Sequence, residues 1–382
     1  MGLTGTTTLI AAALCATALF AGTVWCWPRL ARGSWRAVGG RVGLLLATQL
    51  ALFVCVALTA NRDFGFYASW ADLFGRERGE GVVVEYTPGG AGGTRGAGGA
   101  GGPLRVVGLE GIDGPAGPDT ADGQIQRVRI VGRTTRIATP ALVYLPPEYF
   151  RPRYRTRTFP VSVVLTGYPG TAEALVRGLR YPQTAHRLAA AGRMRPMVLV
   201  MLRPTVAPPR DTECVDVPGG PRTESFFAAD LPEAVLAHYR VDRAPGGWGV
   251  VGDSTGGYCA LKLAIHHPDT YAAGAGLSPY YEAPVDRTTG DLYGGDRNLR
   301  HRADLWWCLE NLPAPDTSLL VSSSREGENN YKDTLEFIRR VKAKGFTRIS
   351  SIILDSGGHN FNTWRREIPA TLRWMSGRLD AR

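Results

Sequence analysis

Residues 248–258 read Trp-Gly-Val-Val-Gly-Asp-Ser-Thr-Gly-Gly-Tyr and decide the predicted fold. An apolar run of strand type ends in the pattern Gly-x-Ser-x-Gly, and a helical run follows at once. A serine in this context sits on a strained strand-to-helix turn, where flanking glycines remove the collisions that larger residues would cause. Ser254 is therefore the predicted nucleophile, and the backbone N–H of Thr255 is a predicted oxyanion donor.

Apolar or alternating runs of strand length recur along the chain, and helical stretches separate the later ones. The strand candidates are residues 104–107, 125–131, 141–145, 161–165, 197–202, 248–251, 319–323 and 349–354. The helix candidates are residues 172–191, 225–239, 255–266, 331–343 and 364–379. This alternation predicts an α/β fold with a mostly parallel sheet and helices on both faces. The first three strands have no helices between them and should pair antiparallel at one edge.

A second oxyanion donor is expected in the loop after an earlier strand. Residues 161–170, Val-Ser-Val-Val-Leu-Thr-Gly-Tyr-Pro-Gly, form a strand that runs into a glycine-containing loop. Pro169 has no amide hydrogen, so the sequence favours the N–H of Tyr168.

The predicted base is His359, in the stretch Ile-Ile-Leu-Asp-Ser-Gly-Gly-His-Asn-Phe after the last strand. It has both the chain order and the strand-end position that the serine nucleophile requires. The other five histidines lack this combination: His186, His238, His266, His267 and His301.

The acid that orients the histidine should follow the strand before last. Arg325-Glu326-Gly327-Glu328 stands there. Glu328 is preferred by its distance from the strand, Glu326 is the competitor, and Asp355 is a third choice. The sequence leaves this choice open.

The N-terminal region, residues 1–60, contains two uncharged apolar stretches, residues 8–27 and 42–60, each long enough to cross a bilayer as a helix. Four arginines and no acidic residue lie between them, namely Arg29, Arg32, Arg36 and Arg41. The positive-inside rule predicts a cytoplasmic loop, two membrane spans and a catalytic domain on the extracellular side. A cleaved signal peptide is the alternative, and the missing basic n-region disfavours it.

The rest of the chain divides into a linker and a catalytic domain. Residues 61–103 combine an aromatic segment, expected at the membrane interface, with the glycine-rich run Pro-Gly-Gly-Ala-Gly-Gly-Thr-Arg-Gly-Ala-Gly-Gly-Ala-Gly-Gly-Pro. Such a run has few side chains to bury and predicts a tether. Residues 104–382 form the predicted catalytic domain.

The charge balance, 44 basic and 34 acidic residues, does not indicate a nucleic-acid partner, because no basic cluster with interleaved aromatic residues occurs. The six cysteines form no C-x-x-C pair, and no histidine stands at zinc spacing. The sequence therefore predicts no metal and no cofactor.

Several motifs in order resemble the exported esterases related to the antigen 85 mycolyltransferases and the esterase D family. The motifs are Val143-Tyr-Leu-Pro-Pro, Leu165-Thr-Gly-Tyr, Asp211-Thr-Glu-Cys-Val-Asp, Gly252-Asp-Ser-Thr-Gly-Gly-Tyr-Cys and Gly357-Gly-His-Asn-Phe. The resemblance spans residues 125–375. It implies an α/β-hydrolase fold, a Ser254–Glu328–His359 triad and ester or acyl-transfer chemistry. Cys214 and Cys259 lie in two of these motifs, where either a disulfide or two buried thiols would fit.

The expected partners are an ester or lipid-like acyl substrate and a sugar or lipid acceptor. Tyr280 and Tyr281 are candidates to line the cleft. The alternative function is a non-catalytic, membrane-anchored protein that keeps the hydrolase fold for binding or scaffolding.

Overall fold

A computed structural model describes residues 6–31, 33–64, 103–112, 121–206, 208, 210–344 and 348–380 of the 382-residue chain. The chain divides into two compact units, residues 1–78 and 79–382. The predicted interfacial segment and linker, residues 61–103, lie outside the described residues except at their two ends. The predicted domain boundaries stay a prediction.

The first unit contains two apolar helices, α1 (Thr6–Cys26) and α2 (Trp35–Phe64). The hydroxyl oxygens of Thr23 and Thr48 lie 3.0 Å apart between them, so the polar atoms of two buried threonines satisfy each other. Most of the large apolar side chains of both helices are exposed. By length and composition both helices are able to cross a membrane, over Thr7–Cys26 and Trp35–Asn61, and a signal sequence would meet the same criterion.

The second unit is built on a sheet for which the described residues supply nine strands. They are β1 (Leu104–Glu110), β2 (Gln124–Val131), β3 (Ala138–Leu145), β4 (Val161–Leu165), β5 (Val198–Leu202), β6 (Trp248–Asp253), β7 (Ala273–Leu277), β8 (Ser318–Glu326) and β9 (Ile349–Ser356). Their spatial order is β1-β2-β3-β5-β4-β6-β7-β8-β9. Pairing is antiparallel from β1 to β5 and parallel from β5 to β9.

Helices cover both faces of this sheet. They are α3 (Tyr181–Ala190), α4 (Leu231–His238), α5 (Thr255–His266), α6 (Arg297–Arg302), α7 (Leu305–Asn311), α8 (Tyr331–Ala343) and α9 (Phe361–Arg378). The apolar side chains of α3 and α9 join one buried cluster, and those of α4, α5 and α8 join the other. The expected α/β-hydrolase architecture, with an antiparallel edge formed by the first strands, is confirmed.

Several elements differ from the sequence-based prediction. Helices α6 and α7 were not predicted, and a π-helical turn, Phe226–Asp230, precedes α4 within the predicted helix over residues 225–239. Strand β7 was not predicted, because Ala273-Gly-Ala-Gly-Leu277 contains no β-branched residue. The predicted helix over residues 172–191 is interrupted: a π-helical turn, Ala174–Gly178, precedes α3, and Arg180 between them has a φ of 59°. A left-handed residue ends one helical segment and redirects the chain into the next.

The carboxyl ends of the parallel strands form one edge of the sheet, and Ser254 follows β6 at this edge. Strand β9 and the loop that carries His359 end on the same side, because β8 and β9 run parallel to β6. The loops after β4, β6, β8 and β9 therefore converge there, as expected for an open α/β sheet.

Cys214 and Cys259 form a disulfide, with their Cα atoms 5.7 Å apart. Cys259 lies in α5, directly behind the turn that carries Ser254, and Cys214 lies in the long connection after β5. Both cysteines are buried. The bond joins the loop of residues 211–216 to the helix after Ser254, which decides the choice that the sequence left open.

We expect the Cys214→Ser/Cys259→Ser variant to be destabilised. Removing a cross-link between residues separated by 45 positions should cost about 4 kcal/mol of unfolding free energy through loop entropy, a loss of roughly 8 °C in Tm. Calorimetry of the detergent-solubilised full chain measures this shift. Cys15→Ser, which changes an exposed thiol of α1, is the control and should leave Tm unchanged. Equal Tm values for wild type and the double variant would contradict a stabilising role for this bond.

Candidate active site

Ser254 occupies the tight turn between β6 and α5. Its φ of 53° and ψ of −122° are rarely adopted by a non-glycine residue, and such strain is typical of functional positions. The Ser254 N–H donates to the carbonyl of Leu277 over 2.9 Å, which fixes the turn against β7. Ser254 is half-buried, whereas the residues on either side of it in the chain are buried. It lies at the carboxyl edge of the sheet.

The two glycines of the Gly-x-Ser-x-Gly pattern are required by close backbone contacts. A Cβ atom at Gly252 would lie 2.3 Å from the backbone of Gly256, and one at Gly256 would lie 2.3 Å from the carbonyl oxygen of Leu165. Real Cβ atoms do not approach backbone so closely, so larger residues here would push α5 away from β4. The glycines thus permit the turn that the sequence predicted.

His359 lies beside the Ser254 hydroxyl, with Nε2 2.8 Å from Oγ. The next residue, Asn360, caps helix α9, because its side-chain oxygen accepts hydrogen bonds from the N–H groups of Asn362 and Thr363. The imidazole also packs edge-to-face on Trp364, with ring centroids 5.1 Å apart. A cap behind His359 and an aromatic ring beneath it therefore hold the imidazole at the serine.

Glu328 lies on the other side of the imidazole, with Oε2 3.5 Å from Nδ1 of His359. Its side chain is 2 % exposed, whereas that of the third choice, Asp355, is fully exposed. Glu326 is exposed on the last position of β8, where it pairs with Ser356. Gly327, with a φ of 92°, turns the chain between the two glutamates. Of the three carboxylates considered, the structure brings only Glu328 to His359.

The predicted oxyanion donors belong to two segments that meet at Ser254. Thr255 is the first residue of α5. The loop with Tyr168 approaches from β4, since a Cβ atom on Gly167 would lie 2.9 Å from the Cβ of Ser254. Helix N-termini and backbone N–H groups suit a developing oxyanion.

Asp253 is a buried residue of this region that the sequence analysis did not single out. Its carboxylate accepts a hydrogen bond of 2.9 Å from the N–H of Gly167 and so ties the loop after β4 to the residue before Ser254. Burial raises the pKa of Asp253 to about 7, although the Gly167 N–H and nearby His359 oppose the shift. The Gly-x-Ser-x-Gly motif allows any residue before the serine, so the sequence did not indicate this role of Asp253.

The Asp211-Thr-Glu-Cys segment lies against the same helix. The hydroxyl of Tyr280 donates to Glu213 over 2.5 Å, and the Tyr280 ring stacks on Tyr258 of α5 at 5.1 Å. Burial, followed by the neighbouring Asp211, raises the pKa of Glu213 to about 8. Tyr280 is half-buried beside α5, whereas Tyr281 is buried and packs on Phe337. A place for either tyrosine in a substrate cleft stays a prediction.

Within the residues that the structure describes, no group of three or more His, Cys, Asp or Glu side chains is placed to hold a metal ion.

Solved structures with the same fold include a ferulic acid esterase, with a TM-score of 0.54 and 17% identity over 67% of this chain and 97% of that chain. An S-formylglutathione hydrolase from Agrobacterium tumefaciens has a TM-score of 0.56 and 18% identity over 68% of this chain and 96% of its own. A fluorophosphonate-binding serine hydrolase of Staphylococcus aureus matches with a TM-score of 0.56 and 15% identity over 66% and 98%. At these identities the likeness shows the fold.

Among curated relatives, an uncharacterised protein of Corynebacterium glutamicum is 24% identical over 249 residues, which cover 63% of this chain and 58% of that protein. The MPT51/MPB51 antigen of Mycobacterium tuberculosis is 32% identical over 77 residues, 20% of this chain and 25% of the antigen. The matches thus span little more than half, or only a quarter, of these relatives. The family described as "Putative esterase" matches residues 134–375, more than half of the chain. The chain therefore belongs to this esterase family of α/β-hydrolases.

Proposed function

We propose that this protein is a serine esterase or acyltransferase that works through an acyl-enzyme on Ser254. The observation that supports this most directly is the 2.8 Å contact between Nε2 of His359 and Oγ of Ser254. A neutral imidazole at this distance takes the hydroxyl proton as Oγ attacks an ester carbonyl. The bond from Oγ to the carbonyl carbon forms, the ester C–O bond breaks, and His359 returns the proton to the leaving alkoxide.

Glu328 and two backbone amides complete the proposed machinery. Glu328 accepts the Nδ1–H of His359, so Nε2 faces the serine and the imidazolium is stabilised once it forms. The Nδ1 to Oε2 distance of 3.5 Å is long for a hydrogen bond, as catalytic contacts often are before substrate binds. The N–H groups of Thr255 and Tyr168 are the proposed donors to the oxyanion.

The second half-reaction decides between hydrolysis and transfer. Water, activated by His359, releases the acid, whereas the hydroxyl of a sugar or lipid acceptor receives the acyl group in a transfer reaction. An ester or lipid-like acyl substrate fits both routes. The non-catalytic scaffold is the competing function, and the intact contact between Ser254 and His359 argues against it.

We further propose that α1 and α2 are membrane spans and that the catalytic domain lies on the extracellular side. Arginine and tryptophan side chains pair at the end of this helical hairpin: Arg29 with Trp25, Arg36 with Trp35 and Arg41 with Trp27. Aromatic and basic residues together are typical of a membrane interface, and the positive charge favours the cytoplasmic side.

The nucleophile is tested with p-nitrophenyl esters of graded chain length and a fluorophosphonate probe on the detergent-solubilised full chain. Ser254→Ala should lose at least about 10³-fold in kcat and all labelling, because it removes the attacking oxygen. Ser351→Ala, at an exposed serine of β9, is the matched control and should retain both. A folded wild-type protein that neither turns over nor is labelled would favour the scaffold.

The acid is tested by comparing two neighbouring substitutions. Glu328→Gln should reduce kcat by about 10²- to 10⁴-fold, since the amide no longer stabilises the imidazolium, whereas Glu326→Gln should remain close to wild type. Steady-state kinetics on one ester measures both. A larger loss of kcat in Glu326→Gln than in Glu328→Gln would mean that Glu326 is the acid that orients His359.

The topology is tested with fusions at Arg382. Alkaline phosphatase fused there should be active and green fluorescent protein dark, because the catalytic domain is expected outside. Replacing the four loop arginines by glutamine should weaken this preference. An intact N-terminus in the mature protein supports two spans. A shortened mature chain would mean that α1 is a signal sequence. Fluorescence of the green fluorescent protein fusion would mean that the catalytic domain lies on the cytoplasmic side.

A further inference from the structure

A chain of buried polar groups lies behind Glu328 and extends to a second carboxyl group. The hydroxyl of Ser278 donates to Oε1 of Glu328 over 2.7 Å, while Oε2 of Glu328 faces His359. The backbone N–H of Ser278 donates to Oγ of Ser322 over 3.1 Å, and Ser322 donates to Oε2 of Glu367 over 2.8 Å. These hydrogen bonds connect the proposed triad acid to helix α9.

The direction of each hydrogen bond in this chain is fixed by its partners. Nε1–H of Trp364 donates to Oγ of Ser278 over 2.9 Å, so the Ser278 hydroxyl hydrogen is left for Glu328. Because Ser278 occupies Oε1, the other oxygen of Glu328 is the one presented to the imidazole. The Trp364 ring also packs at nearly a right angle to the ring of His359, so one indole contacts both His359 and the serine that donates to Glu328.

The backbone of Ser278 adopts an unusual conformation. Ser278 follows directly after β7 and has a φ of 46°, in the left-handed region that non-glycine residues seldom adopt. The loop that carries Glu328 is closed onto the same segment, because the side chain of Asn330 donates to the carbonyl of Pro279 over 2.8 Å. Oγ of Ser323 in turn donates to Asn330 over 2.7 Å. Two neighbouring segments are thereby fixed around one carboxylate.

Glu367 is a fully buried carboxyl group that the proposed reaction does not use. Burial raises its pKa to about 8; the hydroxyl of Ser322 and the charge of Arg366 oppose this shift, and the carboxylates of Glu328 and Asp253 add to it. The other titratable group facing it is Tyr181, whose own pKa burial raises well above the usual value. At neutral pH this raised pKa leaves Glu367 protonated.

We propose that Ser278 is a positioning residue for Glu328, within a buried hydrogen-bond network that reaches Glu367 through Ser322. Ser278 occupies Oε1 of Glu328 and so holds Oε2 toward His359, while Ser322 links the backbone of Ser278 to the buried carboxyl group of Glu367. This inference rests on the proposed function, because it assigns a role relative to Glu328.

The test compares Ser278→Ala with Ser278→Gly on the full chain in detergent, by kcat, KM and the pH dependence of kcat. Both variants lack the hydroxyl, but glycine accepts the positive φ and alanine does not. Both should lower kcat by about 10- to 100-fold with KM unchanged, as expected for one hydrogen bond to a charged group. Both should also move the acid limb of the profile to lower pH, because a Glu328 that is no longer held toward His359 stabilises the imidazolium less.

The outcomes separate this inference from the proposed function. If wild type is active but both variants keep its kcat and acid limb, the positioning role is refuted while the esterase reading survives. If glycine restores activity and alanine does not, backbone strain explains the loss and the role of the hydroxyl is refuted. If wild type itself is inactive and unlabelled, the proposed function has failed.

Glu367→Gln tests the neutral carboxyl separately. Between pH 4.5 and about 8 folded Glu367 holds a proton that the unfolded chain has released, so its contribution to stability falls as pH rises through this window. Glutamine does not titrate, so the variant does not lose stability in this way as pH rises. Its Tm should exceed that of wild type, and the difference should be larger at pH 8 than at pH 5. A pH-independent Tm difference would contradict a neutral Glu367.

Discussion

The close backbone approach of α5 to β4 is the constraint on which the proposed catalytic edge of the sheet depends. Gly252 and Gly256 bring α5 against the end of β4, where Leu165 leads directly into the loop with Tyr168. The N–H of Gly167 in that loop donates to Asp253, so the loop is tied to the residue before Ser254. The disulfide at Cys259 then ties a third segment to α5. One tight packing contact therefore positions several loops that are distant in the sequence.

The same tight packing explains what could and could not be predicted from the sequence. The turn at Ser254 is local, so glycine spacing and the apolar strand before it were sufficient to predict it. Strand β7 is different because α5 lies directly on it: a Cβ atom on Gly274 would lie 2.5 Å from that of Ala264. Small residues are required at such a contact, and they remove the β-branched signal by which a strand is recognised. The tertiary contact that fixes the turn at Ser254 therefore also makes the neighbouring strand β7 difficult to predict from the sequence.

The residues behind the triad could not be predicted for a related reason. His359 was indicated by chain order and strand ends, whereas spacing favoured Glu328 without excluding Glu326. The structure separates them through the positive φ of Gly327, which a glycine in sequence permits but does not reveal. Ser278 and Glu367 are 50 and 39 positions from Glu328 and share no motif with it. Their partnership arises only when β7, β8 and α9 are packed together.

A second constellation in the same domain shows that residue types alone do not make an active site. Nε2 of His266 lies 3.3 Å from Sγ of Cys308, and Nδ1 lies 3.0 Å from Glu224, so nucleophile, base and acid occur in triad order. However, Cys308 is buried, and burial raises the pKa of its thiol to about 11 and lowers that of His266.

Glu224 also pairs with Lys262, which donates to the carbonyl of the disulfide residue Cys214. The buried contacts of Glu224, Lys262, His266 and Cys308 therefore support α5, the helix that follows Ser254. His359, in contrast, has a side chain that is 44% exposed beside a half-buried Ser254. Access to substrate at the sheet edge, more than the identity of the three groups, distinguishes the proposed catalytic site from its buried counterpart.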